Sequence, residues 1–241
     1  GTHIFGFSST MLATFWTGAA IRFVSRFSPQ VMLDALADGT CVMPAVPQMY
    51  ALLLGHLDKT GQTLKAPRLH YISSGGAPLD PDLKRRVEQV FGLQLNNGMG
   101  MTECSPTMAA TRQGEYRDDN SVGRAVDDVD LWIDKPNENG IGELVCRSPG
   151  VMKGYYRNPD ETAAVLDRSG YFHTGDLGRF DEQGRLYVVG RCKELIIRSG
   201  FNVYPPEVEA ALTNHEHITI AAVVGRPEKG GNEEVLAFVQ P

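Results

Sequence analysis

The stretch Arg68-Leu69-His70-Tyr71-Ile72-Ser73-Ser74-Gly75-Gly76-Ala77-Pro78-Leu79-Asp80-Pro81 decides the architecture. Arg68 to Ser73 reads as a short strand, and it runs into a loop of small residues, Ser74 to Pro78. A helix opens directly afterwards. Asp80 carries the short acceptor side chain of an N-cap, Pro81 has the fixed φ suited to a first turn, and Leu83, Val87, Val90 and Phe91 recur on one face. Leu93 to Asn96 then reads as a second short strand, ending in the glycine-broken turn Asn97-Gly98-Met99-Gly100. Strand, helix and strand in this order predict an α/β sheet, mainly parallel, with its loops gathered at the strand ends.

Working outward, Pro29 to Leu54 repeats the theme. Val31, Leu33 and Leu36 share a helical side, Thr40-Cys41-Val42-Met43 suits a strand, and Val46 to Leu54 suits a helix. Ile4 to Ile21 is uncharged over 18 residues, long enough to raise a membrane span. Its hydroxyls at Ser8, Ser9, Thr10, Thr14 and Thr17 favour a buried core helix instead, and no cationic stretch with a cleavage site marks a signal peptide. After about Pro106 the pattern changes to short strands with turns. Asp130 to Ile133 and Gly142 to Arg147 flank one turn segment; Leu177 to Phe180 and Arg185 to Val189 flank another. Two such hairpins predict a small β-barrel or sandwich. Past Lys193, a proline-started helix over Pro205 to Leu212 and strands at His217 to Val224 and Glu234 to Val239 return to α/β. The expected division is 1–192, with its α/β part to about 105 and its barrel over 106–192, followed by a small domain over 193–241.

A net charge of −6, from 23 Lys and Arg against 29 Asp and Glu, argues against a general nucleic-acid binder. The longest basic cluster, Lys84-Arg85-Arg86, reads as the wet face of a helix. Cys41, Cys104, Cys146 and Cys192 have no paired spacing, which excludes a C-x-x-C motif and suits a reducing cytoplasm. The histidines show no H-E-x-x-H pattern, so a zinc hydrolase is not expected.

Two later segments carry chemistry. Tyr171-Phe172-His173-Thr174-Gly175-Asp176-Leu177 holds an acid on a glycine turn; Gly190-Arg191-Cys192-Lys193-Glu194-Leu195-Ile196-Ile197-Arg198-Ser199-Gly200 sets an Arg and a Lys before an apolar run. A carboxylate can accept from a ribose diol and a guanidinium can grip a phosphate, although either stretch alone equally suits a strand end with a solvated charge. Met101-Thr102-Glu103 continues the turn at Asn97; by itself Thr-Glu is equally a helix cap with a surface carboxylate.

Together these segments resemble the adenylate-forming superfamily, which includes acid–CoA ligases, luciferases and peptide-synthetase adenylation domains. Ser74-Gly75-Gly76-Ala77-Pro78-Leu79 matches its S-G-G-A-P-L loop, Asn97 to Glu103 resembles N-x-Y-G-x-T-E, and Gly142-Glu143-Leu144 through Gly154-Tyr155 resembles G-E-L…G-x-x-x-G-Y. The glycines of the last motif read as structural. By this resemblance Gly76, Ala77, Asn97, Gly98, Met99 and Met101 would surround the adenine, with the Asn97 amide pairing with its amino group. Thr102 would donate to the α-phosphate and Glu103 would ligate Mg²⁺. Asp176 would hold the ribose hydroxyls beside Arg191, Lys193 would be a hinge for the small domain, and Ser199, Gly200 and Phe201 would line a pantetheine tunnel. Met99 departs from the family's aromatic residue, which implies weaker adenine affinity.

His3-Ile4-Phe5-Gly6 resembles the H-x-F-G stretch of the acyl pocket, which would place His3 and Phe5 with Gly75 and Met101, although a lone His among apolar residues equally suits the core. No carboxylate lies between Gly1 and Gln30 to meet an ammonium group, which favours a fatty or other organic acid over an amino acid. The implied activity is ATP-dependent acid activation and thioester formation with coenzyme A. Loading of a carrier-protein phosphopantetheine and a non-catalytic nucleotide-binding or interaction role stay open. The resemblance is compatible with a homodimer. The family's Pro-Lys-Gly phosphate loop and terminal G-K-x-x-R segment are not in the sequence, so a central part of a longer protein, inactive alone, is expected.

Overall fold

The computed structural model describes residues 3–24, 26–215, 217–228 and 232–240. The chain divides into two compact units, Gly1–Val129 with Ser148–Lys153, and Asp130–Arg147 with Gly154–Pro241.

In the first unit five strands form one sheet in the order β1 (Val42–Ala45), β2 (Tyr71–Ser74), β3 (Leu95–Gly100), β4 (Thr107–Ala110) and β5 (Arg124–Ala125). The pairs β1–β2 and β2–β3 are parallel; β3–β4 and β4–β5 are antiparallel. Its helices are α1 (Ala13–Trp16), α2 (Pro29–Ala37), α3 (Pro47–Thr60) and α4 (Pro81–Phe91). Ser28 and Asp80 cap α2 and α4 by accepting from the Val31 and Leu83 N–H groups, and Gly92 closes α4 in the left-handed conformation. Leu36, Tyr50, Leu53, Leu54, Ile72, Val87 and Leu95 make the enclosed core between helices and sheet. The Tyr50 hydroxyl donates to the Met43 carbonyl at 2.9 Å and the Ser73 carbonyl at 3.1 Å, tying β1 to β2. Burial pushes this phenol's pKa up.

Three expectations change in this unit. The apolar stretch from Ile4 is helical only to Trp16, as a π-helical run Phe5–Leu12 entering α1, and neither element buries a residue; Trp16 is 92% exposed. Apolar composition gives a segment's preference, not whether a described neighbour covers it. Among the described residues no helix is long and apolar enough to cross a membrane. Second, Asn97-Gly98-Met99-Gly100 is not a turn. Pairing of Gly98 with Ala110 and Met99 with Ala109 recruits it into β3, a non-local contact that local glycine signals do not reveal. Third, Lys84 is not a wet residue: it is 4% exposed. Its ammonium donates to the Arg117 carbonyl, lies 3.7 Å from Glu88 and sits 5.4 Å over the Tyr116 ring. Arg85 and Arg86 do face solvent, paired with Asp82, Asp118 and Asp58.

In the second unit four antiparallel strands lie in the order β6 (Asp130–Asp134), β7 (Gly142–Arg147), β8 (Phe172–Phe180) and β9 (Leu186–Arg191), with α5 (Pro159–Val165) between β7 and β8 in sequence. Both expected hairpins form, yet among the described residues the four strands make an open sheet instead of a closed barrel or sandwich. A hairpin signal fixes neighbours in sequence; closure depends on distant edges. The chain continues through the hairpin β10 (Ile196–Arg198) and β11 (Phe201–Val203), α6 (Pro205–Thr213), and the antiparallel pair β12 (Ile220–Pro227) and β13 (Glu233–Gln240). Ser199 and Gly200 turn the first hairpin with φ of 53° and 82°, the two positive angles that a tight two-residue hairpin requires. Glu209 on α6 accepts from the buried Val223 N–H at 2.8 Å, fastening helix to strand.

Candidate nucleotide site

Ser74 ends β2 and pairs with Asn97 on β3, which runs on to Gly100, so the loop after β2 starts beside the body of β3. A Cβ on Gly75 would lie 3.3 Å from the Gly98 carbonyl and 3.3 Å from the Phe5 ring, which brings Phe5 and Gly75 beside Gly98. Gly76 takes a left-handed φ of 78° that turns Gly76, Ala77 and Pro78 outward to solvent. On the other loop, the β3–β4 register shifts between Met99 and Gly100, and any Cβ on Gly100 would collide with the Pro106 carbonyl. The bulge releases the chain into the 3₁₀ turn Thr102–Cys104, where Thr102 is exposed and Met101 and Glu103 are half-buried. Backbone bonds hold the turn: Met101 N–H donates to Pro106 at 2.9 Å, and Met152 N–H to the Glu103 carbonyl at 2.7 Å.

Two expected residues stand differently. Asn97 is buried, and its Nδ2 donates to the Asn120 and Ser121 carbonyls at 3.1 and 3.2 Å while Oδ1 accepts from Gly98 N–H at 3.1 Å. Its amide thus fastens the 120–121 segment to β3 through its hydrogens, and its oxygen, the atom expected to accept from the adenine amino group, already accepts from Gly98 N–H. His3 is exposed and accepts at Nδ1 from Phe5 N–H at 3.3 Å, so the core reading of this residue does not hold. Met99 is half-buried on β3.

In the second unit Asp176 is 7% exposed and faces Arg191 across the β8–β9 ladder, with Nε 2.9 Å from Oδ1. The carboxylate sits on an irregularity. Glu143 pairs with Leu177 and Val145 with His173, so Thr174, Gly175 and Asp176 all lie opposite Leu144. Side chains replace the missing ladder bonds. Thr174 Oγ1 donates to the Leu144 carbonyl at 2.7 Å and accepts from Asp176 N–H at 3.0 Å. Gly175, with φ of 70°, donates its N–H to Glu143 Oε1 at 3.0 Å, and Glu143 Oε2 lies 3.1 Å from His173 Nδ1.

Sequence reasoning gave Glu143 no role, because its motif drew attention to the glycines. Those are structural in the expected sense: a Cβ on Gly142 would collide with the Asp134 carbonyl. The available signal was an acid directly across the strand pair from the Thr-Gly-Asp turn. Asp134, Glu143 and His173 bring potential ligand atoms within 4.8 Å of one another. A cavity of about 290 Å³ opens beside Asp134, Glu143, Leu177, Leu195 and Tyr204. Burial first, then the negative charges of Glu143 and Asp176, raise the pKa of the Cys192 thiol. Lys193 is exposed on the turn Cys192–Glu194, and Ser199, Gly200 and Phe201 are exposed on the β10–β11 hairpin.

The fold is that of the adenylate-forming enzymes. Within that class the chain belongs to the AMP-binding enzyme family, whose model matches residues 2–156. It is 33% identical to 4-coumarate–CoA ligase 1 of Arabidopsis thaliana, over 98% of this chain and 44% of that ligase. It is 34% identical to the long-chain-fatty-acid–CoA ligase of Bacillus subtilis (strain 168), over 98% of this chain and 43% of that one. The ATP-bound crystal structure of MatB from Rhodopseudomonas palustris matches with a TM-score of 0.85 at 30% identity, over 98% of this chain and 48% of that one. The chain spans less than half the length of these relatives.

Proposed function

We propose that the whole protein joins a carboxylic acid to coenzyme A through an acyl-adenylate. A carboxylate oxygen bonds to the α-phosphorus of ATP as the bond to pyrophosphate breaks; the thiol sulfur then bonds to the acyl carbon and AMP leaves. The observation that carries this reading is the bulge-held Asp176–Arg191 pair: a carboxylate almost withdrawn from solvent, oriented by its strand, beside a guanidinium that is itself largely exposed. Such a carboxylate is prepared to accept from the two vicinal hydroxyls of a ribose.

The other residues take roles in keeping with their surroundings. The exposed Gly76 and Ala77, after the buried Gly75 that packs beside Gly98, offer little side chain to obstruct a flat base, Met99 and Met101 take the positions next to it, and Asn97 serves by shaping β3 rather than by touching the base. Thr102 donates its exposed hydroxyl to the α-phosphate. Glu103, a half-buried oxygen donor on a backbone-fixed turn, fits a Mg²⁺ ligand, and the ion supplies charge neutralisation at the phosphates when bound. Phe5 and Gly75 border the acyl group, with His3 at its outer edge. The exposed Lys193 is the hinge between a body over 1–192 and a lid over 193–241, and the lid's Ser199, Gly200 and Phe201 meet the pantetheine arm. The acid is an organic or fatty acid, and Cys41, Cys104, Cys146 and Cys192, which show no paired spacing, suit a cytoplasmic setting.

Pyrophosphate release by the whole protein, measured over a panel of aliphatic and aromatic acids with and without CoA, tests the reaction. Asp176→Ala should lower kcat/KM for ATP at least about 10-fold, the loss of one or two charged hydrogen bonds. Full activity in that variant removes Asp176 from the site.

A further inference from the structure

We infer that Glu143 is the positioning residue of the Asp176–Arg191 pair. It acts through the backbone of the β8 bulge, and the role deepens the nucleotide reading of Asp176 and rests on it. The need arises from the ladder. Between the pairs Glu143–Leu177 and Val145–His173, three residues of β8 oppose the single residue Leu144, so their N–H groups cannot all be met by β7 backbone. The Thr174 hydroxyl meets the Asp176 N–H at 3.0 Å, and the Glu143 carboxylate meets the Gly175 N–H at 3.0 Å. A charged acceptor makes the second bond the stronger of the two.

Glu143 is in turn held in place. It is a β7 strand residue following Gly142, where no side chain fits, and its second oxygen lies 3.1 Å from His173 Nδ1 on β8. One side chain therefore clips the bulge at both His173 and Gly175, directly before Asp176. The left-handed φ of 70° at Gly175 is what turns the chain there, and the Glu143 bond fixes that peptide. Without the clip, Gly175 is free to leave this conformation. The Asp176 carboxylate then loses its fixed direction towards Arg191 Nε, 2.9 Å away. Glu143 need touch no substrate to act in this way.

The test uses Glu143→Ala and Glu143→Gln, since Gln keeps a neutral acceptor for the Gly175 N–H and the size of the side chain. Amide exchange at Gly175 is followed in the ¹⁵N-labelled chain, with the amides of Leu144 and Leu186 as controls for folding. In the whole protein, KM for ATP and kcat are measured for both variants and for Asp176→Ala. Glu143→Ala should speed Gly175 exchange about 10-fold or more with the controls unmoved, and raise KM for ATP about 10-fold at nearly constant kcat. Glu143→Gln should recover most of both. Wild-type exchange at Gly175 in Glu143→Ala overturns the proposal, and so does equal loss in the Ala and Gln variants with the control amides also exposed. If Asp176→Ala leaves KM for ATP unchanged while Glu143→Ala still frees Gly175, the clip on the bulge is supported and the ribose role of Asp176 is what fails.

Discussion

Replacing Lys84 by Met removes a buried charge while keeping most of the aliphatic stem, and the structure sets the size of the effect. The ammonium donates to the Arg117 carbonyl, and a hydrogen bond from a charged donor contributes about 2 kcal/mol. It lies 5.4 Å over the Tyr116 ring, a contact worth up to about 1 kcal/mol. It also lies 3.7 Å from Glu88, whose side chain is only 10% exposed and whose Oε2 has no hydrogen-bond partner among the described residues. Stripping the cation from a buried carboxylate is the larger loss, and breaking such pairs costs about 3–5 kcal/mol in all. Lys84→Met should therefore destabilise the first unit by about 3 kcal/mol. Native-state hydrogen exchange at the core amides of Leu54 and Val87 reads the opening free energy of this unit without assuming that the two units unfold together. Adding Glu88→Gln should return at least half of the loss, because Gln keeps the acceptor that meets the Leu95 N–H at 2.9 Å and removes the stranded charge. A Lys84→Met chain within about 1 kcal/mol of the parent would refute the argument.

Three further outcomes are expected. Met99→Tyr should tighten AMP binding by calorimetry about 5-fold or more, since an aromatic face on a base contributes roughly 1–3 kcal/mol and a thioether only part of that; equal or weaker binding counts against Met99 lying beside the base. Lys193→Pro stiffens the exposed turn Cys192–Glu194, and it should spare acyl-adenylate formation while slowing thioester formation about 10-fold or more; parallel loss of both steps removes the hinge. Asp176→Asn deletes one of the negative charges that raise the Cys192 thiol's pKa, so more thiolate exists at a given pH and the alkylation profile of Cys192 should move to lower pH. A profile that stays in place means that burial and the Glu143 charge, the two larger causes, account for the shift without Asp176.

What could be read from the sequence follows the range of the forces involved. Helix α4 was legible because its start is written locally: Asp80 accepts from Leu83 N–H and Pro81 fills the first turn, and Val87 is enclosed as its spacing requires. The hairpin around Asp181 was legible for the same reason, its Oδ1 accepting from the Gln183 and Arg185 N–H groups at 3.0 and 2.8 Å. Lys84 was misread because its partners, Tyr116 and Arg117, lie some thirty positions away, and a KRR run looks the same in either setting. Helix α5 was passed over because Pro159 to Val165 is short and buries none of its residues, although Asn158 and Pro159 mark its start. Asn97 was legible as a special residue, but its carbonyl partners at Asn120 and Ser121 lie in another segment.

In each unit the candidate polar residues lie where sheet pairing is irregular, and there is a physical reason. In a regular ladder each N–H and C=O is committed to a neighbouring strand, and side chains alternate faces on a fixed period. At Met99–Gly100, at Glu143–Val145 and at Leu177–Gly178 the register shifts. Each shift re-aims the chain and leaves backbone groups for other partners. The first delivers the exposed Thr102 and the half-buried Glu103 into a 3₁₀ turn; the other two bracket Asp176 opposite Arg191. The first two also carry glycines whose reasons differ: Gly100 because Pro106 leaves no room, Gly175 because its φ is positive. Substitution tells these causes apart. Gly175→Ala meets no neighbouring atom and should cost only the backbone strain of a left-handed residue, about 1–2 kcal/mol, whereas Gly100→Ala must displace the β3–β4 crossing itself and move Thr102 with it. If the two variants lose stability equally while Thr102 keeps its place, as read from its amide shift, then register irregularity is incidental to how this chain presents its polar groups.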